Sequence, residues 1–183
     1  MNKIVIVGVI TLLTACTGNP VKHPPESQVC EGTTQLPATL SASFTAVENP
    51  ALLASALGKP EKGSLCQGQV YRANADTRVA IYRAWNSTNP GSVYGHWWAF
   101  TQPTGSIAQY RENFEICYQW SPLDKLVTCT LKAGTEVVVG NGQSARCSEY
   151  LTYPVSAIQQ VYLADAADST HNCTQATAVF GWQ

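Results

Sequence analysis

The chain has 183 residues, of which 13% are charged, and a formal net charge of −1, where about 25% charged is usual for a globular domain. The length fits one domain plus a leader, and an apolar content of 45% excludes a disordered chain or a coiled coil. No basic block occurs, which argues against a nucleic-acid partner.

Residues 1–15 open with Lys3 and continue in an apolar run over residues 4–13. That run has the length of a signal peptide and falls short of the roughly 20 residues needed to span a bilayer. It ends in Leu13-Thr14-Ala15-Cys16, which resembles the lipobox of bacterial lipoproteins. The resemblance implies cleavage before Cys16, diacylglycerol on its thiol and an acyl chain on the new amino group. Two or more such chains make a stable anchor. With Thr17 rather than Asp after the cysteine, the same resemblance implies sorting to the outer membrane. Residues 17–28 are polar and carry Pro20, Pro24 and Pro25, so they read as an extended tether, with His23 solvated. The organisation expected is thus a leader over 1–15, a lipidated tether over 16–29 and a single domain over 30–183.

Beyond Cys16 stand six cysteines: Cys30, Cys66, Cys117, Cys129, Cys147 and Cys173. An even number in an exported chain implies disulfides, up to three. Zinc is a poor alternative, because no two of them are two to four residues apart; no metal and no cofactor are expected. Cys117 and Cys129 flank a turn-like stretch, residues 120–125, and read as facing each other across a hairpin. Cys30–Cys66 and Cys147–Cys173 is then the simplest arrangement of the rest.

Along the domain, Asn49 as cap, Pro50 at the first helical position and Gly58 past the end predict a short helix. Residues 69–73 and 79–85 read as strands. In the second, Val79, Ile81, Arg83 and Trp85 share a face. Either that face is wet, or Arg83 needs an anion or a local acceptor, since an unpaired buried cation is costly. Residues 79–100 form the densest aromatic stretch, ending on Gly95-His96-Trp97-Trp98, and residues 95–100 read as a short aromatic strand. A helix is predicted over 104–114, then strands over 115–120, 126–131, 136–139, 157–164 and 176–182. Asn141-Gly142 signals a turn. The sum is an α+β fold dominated by an antiparallel sheet, with two short helices and disulfide staples.

No nucleophile–base motif or phosphate-cradling loop is readable. His171 lies in a polar stretch and reads as solvated; His96, among aromatics, is the better ligand-binding candidate. The order is a strand bearing Tyr82-Arg83-Ala84, then Gly95-His96-Trp97-Trp98, a helix with Ala108 and Tyr110, and a late strand with Gln159-Gln160-Val161-Tyr162. Over residues 69–164 this order resembles the ADP-ribosyltransferase-like superfamily. The resemblance implies NAD as substrate, with Arg83 on the dinucleotide, Trp98 packed on nicotinamide, and Gln160 as the catalytic residue of the late strand. The chain lacks that superfamily's Ser-Thr-Ser and Glu-x-Glu. The other expectation is an interaction module of the envelope, in secretion, conjugation, exclusion or surface contact, which meets a protein partner through the aromatics of residues 94–100.

Overall fold

The computed structural model describes residues 29–75 and 78–177. The leader, Cys16, the tether and most of the last predicted strand lie outside the described residues.

Among the described residues, ten strands and four short α-helices follow in order. The strands are β1 (Phe44–Ala46), β2 (Leu65–Ala73), β3 (Ala80–Trp85), β4 (Trp97–Trp98), β5 (Lys125–Leu131), β6 (Glu136–Gly142), β7 (Ala145–Arg146), β8 (Thr152–Tyr153), β9 (Gln159–Tyr162) and β10 (Thr170–Thr177). The helices are α1 (Ala38–Ser41), α2 (Pro50–Ala56), α3 (Ile107–Asn113) and α4 (Ala166–Ser169). Both predicted helices are present, as α2 and α3. The Asn49 side chain caps α2 by accepting from the Leu52 amide at 3.0 Å, and Ser106 caps α3 by accepting from Gln109. The other two, α1 and α4, are single turns too short for a periodic signal.

A five-stranded antiparallel sheet runs β1-β2-β6-β9-β4, and a three-stranded one runs β10-β5-β3. They join at one edge, where Tyr82 of β3 exchanges both backbone hydrogen bonds with Ala99, just past β4. The main core lies between the sheets, with Val137, Val139 and Val161 of one against Ile81, Val127 and Leu131 of the other. Val138, on the opposite face of β6, packs with Leu65, Val70 and Tyr162 beneath α2. Strand β6 is therefore buried on both faces, which is why its sequence is a continuous run of valines instead of an alternation. Along the outer face of β3, α3 packs Tyr110 against Ala84 and Leu123.

The structure corrects four expectations. Arg83 does not lie on a wet face: Val79, Ile81 and Trp85 beside it are all buried. Residues 115–120 form no strand, because the chain leaves α3 through Glu115 at φ +47° and continues in turns. Asn141 and Gly142 are not a turn; they continue β6, paired across to β2 and β9. The disulfides are Cys30–Cys66, as expected, but then Cys117–Cys147 and Cys129–Cys173. Since Cys117 is off the sheet, it cannot face Cys129. A bulge in β10 between His171 and Thr174 instead brings Cys173 against Cys129 on β5.

Candidate functional site

Three neighbouring strands position the polar side chains of one cavity. Arg83 comes from β3, Trp98 from β4 and Gln160 from β9, and the β3–Ala99 bridge and the β4–β9 pairing set them side by side. The cavity has a volume of about 290 Å³ and is walled by these three together with Tyr110, Glu115 and Trp120, with Lys62 also in its lining. Its size is close to the lower end of the roughly 300–1,000 Å³ of ligand pockets.

The guanidinium of Arg83 is fixed by the backbone: Nε donates to the Ser92 carbonyl at 2.9 Å and Nη1 to the Trp97 carbonyl at 2.8 Å. These are the local acceptors its buried face demands. No carboxylate pairs with it among the described residues, so its charge is not neutralised. Burial lowers its pKa from the ordinary value, and the nearby Tyr110 opposes that. Tyr110 is itself pushed up to about 12 by burial, against a backbone hydrogen bond at Ala84 and the Arg83 charge.

Glu115 is the residue that sequence reasoning missed. It stands just past α3, is only 2% exposed, and accepts at Oε2 from the Gln160 side-chain amide at 2.6 Å. Its other oxygen, Oε1, is buried without a hydrogen-bond partner. Burial pushes this carboxyl up to about 9, opposed by Gln160 and Ser156. At neutral pH it is therefore a protonated acid, as a carboxyl in an apolar wall becomes.

The surroundings hold Glu115 in place. Ser156 donates to the Asn113 carbonyl at 2.8 Å and its amide donates to the Gly142 carbonyl, tying the end of α3 to the end of β6. Arg111 reaches down from α3 to the carbonyls of Ile116, Cys117 and Ser121, and Cys117–Cys147 closes the loop covalently. Gly142 leaves room for the acid, since a Cβ at that position would overlap the Glu115 carboxyl. An isolated Glu gives no local sign of such a role; only the packing of three distant segments creates it.

The remaining candidates fall elsewhere. His96 is exposed and outside the cavity; its Nδ1 bonds with the Leu163 carbonyl at 2.9 Å and its ring stacks on Tyr162. Trp98 contributes a wall but is 2% exposed and belongs to the main core, its Nε1 donating to the Gly95 carbonyl. Of the aromatic stretch only Tyr94, at 38%, is a large exposed apolar side chain. The exposed aromatics are instead Tyr118, Trp120 and Tyr150, on the two segments joined by Cys117–Cys147.

Compared with known proteins, the chain matches no family model and none of the curated proteins. A solved structure described as "Structure of Tne2 in complex with Tni2" is similar over 68% of this chain and 100% of that one, at 14% identity and a TM-score of 0.46. A likeness at that score carries no weight for fold or function.

Proposed function

We propose that this chain is a lipid-anchored envelope protein whose cavity binds and hydrolyses a pyridine dinucleotide. The observation that carries the reading is that Arg83, Trp98 and Gln160, from three separate stretches of sequence, line one cavity together with a buried acid. In this reading the unneutralised Arg83 attracts the pyrophosphate. The indole walls pack against the nicotinamide ring. The bond from the ribose C1′ to the ring nitrogen breaks with its electron pair going to the ring, so nicotinamide leaves neutral. A water oxygen then bonds C1′ and gives its proton to solvent. Gln160 and Glu115 supply fixed dipoles where charge moves, the kind of preorganised stabilisation that lowers such barriers most.

The test is incubation of the purified full chain with NAD and chromatographic detection of nicotinamide and ADP-ribose. Arg83→Ala and Gln160→Ala are each expected to lower turnover by about 100-fold or more, the scale of losing one preorganised group. A folded protein that releases no nicotinamide sinks the reading.

The interaction-module reading keeps one specific support, in a different place from residues 94–100. Tyr118, Trp120 and Tyr150 are 58%, 52% and 91% exposed, and Trp120 also lines the cavity. A protein covering them would also reach the cavity wall. Loss of a co-purifying envelope protein on Tyr150→Ala, with folding intact, would support it.

A further inference from the structure

Lys62 and Trp120 both line the cavity, and both reach solvent, Trp120 being 52% exposed. They therefore stand where the cavity opens. Two segments far apart in sequence place them there. A Cβ built on Gly63, the residue after Lys62, would lie 3.4 Å from the edge of the Trp120 indole. The Lys62 backbone bridges to Ala145, and the Gly63 amide donates to the Ser144 carbonyl at 2.9 Å. The Trp120 amide donates to the Cys117 carbonyl at 3.0 Å, and Cys117 is bonded to Cys147. Both halves of the rim are thus fastened to one short stretch, residues 144–147. Neither cation at the cavity is neutralised among the described residues. The carboxylate beside Lys62, on Glu61, is spent on Arg146, and Arg83 donates only to carbonyls.

The size of the cavity gives this rim its meaning. At about 290 Å³ it stands at the lower end of what encloses a drug-sized ligand, and a dinucleotide is larger than such a ligand. With the pyridine end inside, the second nucleotide has to lie across the opening. We propose that Trp120 and Lys62 form its subsite: the purine stacks on the exposed indole, and the Lys62 ammonium pairs with the phosphate nearer that base. An indole face takes a base without a matched hydrogen-bond pattern. A compact ammonium on a four-carbon stem reaches a phosphate as a point charge, without fixed geometry. Arg83 inside and Lys62 at the rim then take one phosphate charge each. The inference rests on the dinucleotide reading for the class of ligand. It adds where the second half of that ligand lies and which residues hold it.

The test uses the carbocyclic analogues of NAD and of nicotinamide mononucleotide, in which a methylene replaces the ribose ring oxygen and prevents cleavage. Each is titrated calorimetrically into the full chain. The dinucleotide analogue is expected to bind at least about tenfold more tightly, the worth of one stacked base. Trp120→Ala should weaken the dinucleotide about tenfold more than the mononucleotide, and Trp120→Phe should keep most of the gap. Lys62→Gln should narrow the gap by up to about fivefold at low salt and by little at high salt, as an exposed charge pair does. Equal binding of the two analogues, or equal weakening of both by Trp120→Ala, overturns the proposal, since Trp120 is then only a wall of the inner cavity. No saturable binding of either analogue overturns it as well. Should Trp120→Ala fail to fold, Trp120→Leu, apolar but without a ring face, makes the same comparison. Nicotinamide release from NAD without the gap sinks this inference and leaves the hydrolase reading standing; the gap without release does the reverse.

Discussion

One rung of sheet separates two unlike environments. Where β6 meets β9 at Val139 and Val161, both residues are fully buried in the main core. At the next rung Gly140 faces Gln160, and two residues on, Gly142 gives up its side-chain space to Glu115. The first region is filled by branched apolar side chains that close every gap. The second uses small residues to admit a carboxyl, and leaves one of its oxygens unpaired at a cost of about 1–3 kcal/mol. The same strand pair thus contributes stability at one end and forgoes some at the other, which is the usual mark of a site built for something other than the fold.

The largest effect expected in breaking this contrast is on the core side. Leu131→Ala, at a fully buried position of the main core, should lower stability by about 2–5 kcal/mol in urea unfolding while leaving nicotinamide binding unchanged.

The site side should show itself next, through pH. Glu115 has a folded value of about 9 against an ordinary 4.5, so the folded chain holds a proton that the unfolded chain releases. The stability this contributes is complete below about pH 4.5 and is lost as pH rises towards 9. At about 1.4 kcal/mol per pH unit, roughly 2–3 kcal/mol should disappear between pH 5 and pH 7. Urea midpoints of Glu115→Gln should lack that decline. Glu136, held below the usual carboxylate range by Asn49 and Arg72, and Asp124, held low by Ser87, act in the opposite sense, losing their contribution only as pH falls through the acid range.

A smaller loss, about 1–3 kcal/mol of overpacking, is expected for Gly142→Ala, and here nicotinamide binding should fall with stability because the displaced group is Glu115. Least of all should follow Glu61→Gln, which removes an exposed 2.8 Å pair with Arg146. At most about 1 kcal/mol is at stake there, and it should vanish in high salt.

Much of the scaffold could be read from local chemistry. Asn49-Pro50 announces α2 without help from the rest of the chain, and the alternation over residues 79–85 announces β3. The even number of cysteines announces staples. The partners of those cysteines could not be read, because Cys117 is carried off the sheet by a left-handed residue that no pattern marks. Asn141-Gly142 misled for a related reason: its turn chemistry is real, but pairing with β2 and β9 on both sides overrides it. Arg83, Trp98 and Gln160 were visible one by one as residue types in suggestive places. Their shared cavity exists only once the strands are ordered β9-β4 and then β3. Glu115 was invisible throughout, since its chemistry comes from burial and a glycine 27 positions away.

The disulfide Cys117–Cys147 carries a redox consequence. Cys117 is two residues from Glu115, so the bridge straps down the loop that presents the acid. With both thiols reduced there is no strap, and the loop is held by Arg111 and Ser156 and the acid by its hydrogen bond from Gln160. Oxidation of the pair adds a covalent hold. The wall of the cavity that carries the acid is thereby tied to the redox state of one bond two residues away.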